Sequence, residues 1–317
     1  MGYKLCLLGC GTMGIAITSG LISSLETRWN SPVQTFGDHP PSSGTSTPVP
    51  SYMMGVSEDA LPSKFLATVS RKESAKKLRK LFSESFGELA NLVDIFVGEN
   101  VAAVRDSDVV LVCCKPQLAE AILTEEGMRE AIRGKLVISI MAGVTINQLS
   151  EWLDPSVRVI RAMPNTPSKI REGMTIVSTL PSACEANERE IILAIFSSIG
   201  RCRFLDEKHF DACTALCGSG PAFVSIVLEA LADGGVMMGL PRVEALELAA
   251  QTVQGTARMV LQTGIHPAAL KDSVTTPGGC TIAGLLSLED GRVRSTFARA
   301  IQVATIKAHE LGQPTKH

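Results

Sequence analysis

The sequence predicts an α/β fold, a doubly wound and mostly parallel sheet followed by an all-helical domain. Three observations carry this. Short apolar runs recur through the first two thirds of the 317-residue chain, with helical patterns between most of them. Near the N-terminus the run Lys4–Leu8 leads into Gly9-Cys10-Gly11-Thr12-Met13-Gly14 and then a helical pattern through Leu25, the order strand, glycine turn, helix. After about residue 207 no strand pattern remains, and the spacing of apolar residues turns helical.

The strand candidates after 4–8 are 65–70, 93–97, 108–113, 136–140, 157–162 and 174–178. Each is apolar almost without interruption, as expected of parallel strands covered on both faces. Residues 27–63 break the rhythm with six of the chain's 16 prolines and the run Ser-Ser-Gly-Thr-Ser-Thr at 42–47, so they read as an irregular insertion. Beyond 207, helical patterns cover 208–239, 242–263 and 292–312, with breaks at 239–241 and 264–267. The chain divides on this reading into 1–207 and 208–317.

Composition narrows the function classes. Hydrophobic residues make up 45% and aromatics 4%, so the core is built from aliphatic side chains. The formal charge of -2 argues against nucleic acid or anionic lipid as partner. The nine cysteines show no C-x-x-C pair, and the five histidines show no metal or triad spacing. We therefore expect free, mostly buried thiols, no metal site and a cytoplasmic location. The apolar stretch 213–232 contains Glu229 and is interrupted by Gly218, Gly220 and Pro221, which argues against a membrane span. So apolar a helix needs cover on most faces, and the expected cover is a second copy in a homodimer or larger homo-oligomer.

The loop 9–14 fits G-x-G-x-x-G. Gly9 makes the turn, Gly11 lets a pyrophosphate approach, and Gly14 lets helix and strand pack. Where the second strand ends, a carboxylate would favour NAD; here stand Ser70 and Arg71, suited to a 2′-phosphate, so NADPH is expected to be preferred with NADH as the alternative. Strand 108–113 runs into Cys114-Lys115-Pro116, strand 136–140 into Ala142-Gly143, and strand 157–162 into Met163-Pro164-Asn165. Ligands of open α/β sheets sit beyond such carboxyl ends. Asn165 suits either a hydrogen bond toward the nicotinamide side or an Asx-turn.

At the other end of the chain, Val274-Thr275-Thr276-Pro277-Gly278-Gly279-Cys280-Thr281-Ile282 opens an apolar helical stretch. Backbone amides of a glycine-rich helix start suit a small carboxylate, with the Thr281 hydroxyl beside it. The alternative is a plain Pro-Gly turn capping a helix. The candidate catalytic residues are Thr281 and Lys115, the latter by proximity rather than proton transfer.

Taken together, LCLLGCGTMG at 5–14, CCKPQ at 113–117, MAGVTI at 141–146, RAMPNTP at 161–167, ALCGSGPAF at 215–223, EALADGGVMMGLPR at 229–242 and LKDSVTTPGGCTIAGL at 270–285 resemble the pyrroline-5-carboxylate reductase family over nearly the whole chain. The resemblance implies an N-terminal Rossmann-type domain, a C-terminal helical dimerisation domain, and NAD(P)H-dependent reduction of 1-pyrroline-5-carboxylate to L-proline. It implies cofactor roles for Gly9, Thr12, Met13, Ser70, Asn100, Lys115 and Asn165, and substrate roles for Val274, Gly279, Cys280 and Thr281. The chain departs from the family pattern in the 27–63 insertion, in Cys217 and in Cys280. Two other functions stay in view, a different imine or 3-hydroxyacid-type NADP reductase and a non-catalytic NADP-binding redox sensor.

Overall fold

The computed structural model describes residues 2–30, 57–181, 184 and 186–311. They divide into two units, one running to Cys213 and taking in the end of the chain from His309, the other Thr214–Ala308.

The first unit contains, in order, β1 (Tyr3–Leu8), α1 (Thr12–Asn30), β2 (Pro62–Val69), α2 (Lys72–Phe86), β3 (Val93–Val97), α3 (Asn100–Arg105), β4 (Val109–Val112), α4 (Ala119–Leu123), α5 (Met128–Ile132), β5 (Leu136–Ser139), α6 (Ile146–Trp152), β6 (Arg158–Met163), β7 (Gly173–Ser178), α7 (Ala186–Ser197), β8 (Gly200–Leu205) and α8 (Phe210–Cys213). The strands form one sheet in the order β3-β2-β1-β4-β5-β6-β7-β8. Pairing is parallel from β3 across to β6, antiparallel between β6 and β7, and parallel again between β7 and β8.

Successive side chains of a strand point to opposite faces, and the core follows that rule. Leu5 and Leu7 pack with Ile17, Leu21, Phe65, Phe82 and Ile195 on one face. Cys6 and Leu8 pack with Val110, Val112, Val137 and Leu149 on the other. Helix α2 buries Ala75, Leu78 and Phe82, one stripe at helical spacing. Helix α6 is started by a capping box between Thr145 and Gln148.

Three expectations need correction. The irregular insertion is shorter than 27–63, because α1 continues to Asn30 and β2 begins at Pro62; its middle, 31–56, lies outside the described residues. A further strand, β8, is added to the seven expected, its sequence lacking an apolar run because its burial alternates and Arg201 and Arg203 project from an edge strand. Only Cys6 and Cys10 are fully buried among the free thiols, and Cys280 is exposed.

The second unit holds α9 (Gly220–Met237), α10 (Arg242–Thr263), α11 (Pro267–Ser273), α12 (Cys280–Asp290) and most of α13 (Val293–Leu311). The expected break at Gly218–Pro221 is instead a π-helical turn, Thr214–Gly218, in which the Ser219 amide reaches back to the Thr214 carbonyl at 3.0 Å. The helical path therefore runs on from Glu207 to Met237, and its 31 residues are long and apolar enough to cross a membrane by length and composition. Within this unit the buried apolar side chains among the described residues are Ala215, Ala232, Ala245, Ala249 and Leu270. Ile226, Leu231, Leu248, Leu261, Leu286, Val303 and Ile306 are all exposed.

Candidate cofactor and substrate sites

The candidate cofactor residues share one edge of the sheet. Gly9 follows β1, Ser70 follows β2, Asn100 opens α3 after β3, Cys114 follows β4, Ala142 follows β5 and Asn165 follows β6. Parallel strands put all six carboxyl ends together, and the strand order reverses at β1, beside β4, which creates a crevice there.

The three glycines of the loop differ in their surroundings. Gly9 has φ 84°, and a Cβ on it would lie 2.8 Å from the Cys114 Cα, so both the left-handed turn and the close approach exclude other residues. A Cβ on Gly14 would meet Cys10 Sγ at 3.3 Å and Cys113 Sγ at 3.6 Å, so this glycine serves helix-to-strand packing. A Cβ on Gly11 meets nothing nearer than the Gly9 carbonyl at 3.9 Å. Gly11 is thus bare toward open space at the start of α1, whose first turn carries no acid and whose free amides favour an anion. A dinucleotide pyrophosphate fits this cradle. Thr12 is exposed and Met13 half-buried at the same helix start.

Thr68, which the sequence pattern did not single out, holds the loop in place. Its hydroxyl accepts from the Gly9 amide at 2.9 Å, and its carbonyl accepts from the Cys10 amide at 2.8 Å. Ser70 and Arg71 follow directly and are exposed, with Arg71 at the N-cap of α2 and making no side-chain cap bond. Lys115 is exposed and forms no ion pair among the described residues, ahead of the 3₁₀ turn Pro116–Leu118. Burial pushes the Cys114 thiol up to about 11, and its Sγ lies 3.6 Å from Met141 Sδ. Gly143 has φ 78°. The Asn100 side-chain amide donates to Glu125 at 3.3 Å. Asn165 forms no Asx-turn: its Oδ1 accepts from the Met174 amide at 2.8 Å, pinning the 164–167 loop to β7.

In the second unit, α11 is capped at its start by His266, whose Nδ1 accepts from the Ala268 amide at 3.2 Å. Its end is closed by the Thr275 hydroxyl, which donates to the Lys271 carbonyl at 2.7 Å. That bond gives Thr275 a structural task in addition to the ligand role expected of it. Thr276–Gly279 is a tight turn with Pro277 second and Gly278 third at φ 68°, closed by the Gly279 amide to the Thr276 carbonyl at 3.1 Å, the pattern of a type II turn. Gly279 is the N-cap of α12 and offers no side-chain bond to the first amides, and the first turn carries no acid. Cys280 and Thr281 are the first two residues of this eleven-residue helix. Val274 is exposed and Thr281 half-buried. Uncapped amides, with Gly279 before them and the Thr281 hydroxyl two residues on, suit a small carboxylate. Of the two readings of 274–282, the backbone shows the Pro-Gly turn that starts a helix.

Two family models match the chain. Residues 207–311 match the family model described as pyrroline-5-carboxylate reductase dimerisation, and residues 54–143 match the one described as NADP oxidoreductase, coenzyme F420-dependent. A pyrroline-5-carboxylate reductase of Lophium arboricola is 46% identical, covering 98% of this chain and 93% of its own length. One of Schizosaccharomyces pombe is 45% identical, with coverages of 97% and 99%. Among solved structures, a pyrroline-5-carboxylate reductase from Coxiella burnetii superposes with TM-score 0.78 at 26% identity, covering 99% of this chain and 100% of that one. The Plasmodium falciparum pyrroline carboxylate reductase with NADP bound gives TM-score 0.72 at 25% identity, with 98% of each chain covered.

Sheet topology and the NADP oxidoreductase match place the molecule among the Rossmann-type nicotinamide-dependent oxidoreductases. Identity over nearly its full length then carries the assignment to a single family: the chain belongs to the pyrroline-5-carboxylate reductases.

Proposed function

We propose that this chain reduces 1-pyrroline-5-carboxylate to L-proline, the last step of proline synthesis, with NADPH as the preferred reductant. The observation that carries the reading is the start of α12, where uncapped amides follow the Thr276–Gly279 turn and no acid opposes an anion. Family membership supplies the substrate that matches, a five-membered cyclic imine bearing one carboxylate.

When bound, the reduced nicotinamide supplies a hydride. The protein's own part is to bind and orient. The Gly11 cradle and the α1 amides receive the pyrophosphate, and Ser70 and Arg71 receive the 2′-phosphate. The amides of Cys280 and Thr281 hold the substrate carboxylate, while the Thr281 hydroxyl hydrogen-bonds the ring nitrogen and fixes the face presented for reduction. A protonated imine is already electrophilic, so positioning accounts for most of the work. A 3-hydroxyacid-type reductase would instead need a catalytic lysine in the helical unit; of its two lysines, Lys271 is paired with Asp272, and Lys307 lies near the end of α13, far in sequence from the 274–282 turn.

The exposed apolar residues of α9, α10, α12 and α13 support a homodimer or a larger homo-oligomer, with a second copy of the chain covering them. The nine free thiols suit a reducing compartment, and we assign the chain to the cytoplasm.

The deciding experiment follows NADPH oxidation on addition of the cyclic imine, with proline identified as product. Steady NADPH consumption that yields proline is the expected result. Failure to turn over that substrate, with NADPH bound, would overturn the assignment and favour the redox-sensor alternative.

A further inference from the structure

We propose that Arg161 and Glu207 form a positioning clamp that fixes the Ala142–Gly143 turn for hydride transfer. The inference rests on the reductase reading above. Arg161 is the fourth residue of β6, at the carboxyl edge, with its side chain 9% exposed. Its guanidinium donates to Glu207 Oε1 at 2.9 Å and lies 4.7 Å from the centre of the buried Phe210 ring. Its backbone amide donates to Ser178 Oγ at 3.1 Å.

The same oxygen of Glu207 also accepts from the Ile146 amide at 3.1 Å. Ile146 is the first residue of α6, so the carboxylate sits at a helix N-terminus, where negative charge is favoured. One oxygen therefore joins three segments: the turn that follows β5, the strand that leads to Asn165, and the helical start that leads out of β8. Only two residues, Val144 and Thr145, separate Gly143 from the held amide, and Thr145 is itself fixed by its capping box with Gln148. The bond to Glu207 thus anchors the chain two residues beyond the turn. Removing Glu207 leaves a buried guanidinium without its acid and a helix start without its anion.

The experiment uses the full-length enzyme and the variants Glu207→Ala, Glu207→Gln and Arg161→Lys. It reads NADPH affinity, kcat, the isotope effect with 4-deuterated NADPH, and amide exchange across 142–148. Glu207→Ala should lower kcat about tenfold or more, because misplacing a positioned group by even an ångström carries such a loss. Its isotope effect should rise and the Ile146 amide should lose protection, while NADPH affinity changes by less than about threefold. Glu207→Gln keeps an acceptor for both donors and should recover protection and most of kcat. Where the alanine variant does not fold, the glutamine and Arg161→Lys variants carry the same readings in milder form. A folded Glu207→Ala with native kcat and isotope effect, or with the Ile146 amide still protected, would overturn the clamp. Binding and exchange need no imine, so an inactive native enzyme would overturn the reductase reading and leave the clamp to be decided by exchange.

Discussion

The Gly9 amide donates to the Thr68 hydroxyl at 2.9 Å, so the end of β2 holds the turn that follows β1. Thr68 is 1% exposed, and water cannot readily replace it. Thr68→Val keeps the shape and strands the Gly9 donor, at a cost of about 1–3 kcal/mol. We expect a lower Tm together with a raised NADPH Kd, checked by thermal unfolding with and without NADPH. A variant with native Tm and native affinity would show that the bond does not hold the loop.

Gly9 and Gly11 should fail differently as alanines. Gly9→Ala forces a side chain into the left-handed region and against Cys114, so the fold itself should lose about 1 kcal/mol or more. Gly11→Ala meets no protein atom closer than 3.9 Å and should leave Tm unchanged while weakening NADPH about tenfold. Thermal unfolding without ligand and NADPH titration separate the two. Equal loss of apo stability in both would contradict the open cradle at Gly11.

Arg71 stands exposed at the start of α2 with no side-chain cap bond. Arg71→Ala should remove a charge-assisted phosphate contact and raise the NADPH KM about tenfold or more, a loss of about 1.5–3 kcal/mol. NADH kinetics should barely move. Parallel losses with both cofactors would dismiss a 2′-phosphate role.

Thr281→Val keeps shape and removes the hydroxyl. If that hydroxyl follows the nitrogen from imine to amine, kcat should fall roughly ten- to a hundredfold with a smaller change in substrate KM. Gly279→Ala acts through the protein rather than the ligand, because its new methyl would strike Thr276 Oγ1 and deform the turn. It should raise the substrate KM and disturb the local fold together, with NADPH affinity preserved. An unaltered kcat/KM in Thr281→Val would leave backbone positioning as the whole account.

The second unit buries four alanines and one leucine among its described apolar residues, too little for a core of its own. Light scattering should find a dimer or larger assembly. Ile226 is 63% exposed on α9, and Ile226→Arg should weaken association at least about tenfold by placing a charge against apolar surface. A stable, active monomer of the native chain would refute the assignment.

Strands β1 to β7 were legible because strands covered on both faces read as apolar runs, and the glycine loop because Gly9 and Gly14 are crowded by neighbouring protein atoms while Gly11 faces open space at a helix start. β8 was not, since alternate arginines at an edge resemble a polar loop. Thr68 was hidden because a threonine near a strand end carries no pattern, and its partner lies 59 residues away. Arg161 and Glu207 were invisible as a pair for the same reason, being 46 residues apart. The Pro-Gly-Gly turn was readable from local chemistry alone, but not the approach of Thr276 Oγ1 to Gly279, which depends on the Thr276 rotamer.

The reversed direction of β7 and β8 has a bearing on chimeras. Ser178 lies across from Leu205, and the Arg161 amide is bonded to Ser178, so the chain leaves β8 level with Arg161. A hybrid enzyme spliced between Leu205 and Glu207 would need an incoming acid in the position of Glu207, whereas a splice after Phe210 carries the acid and its aromatic neighbour along with the sheet.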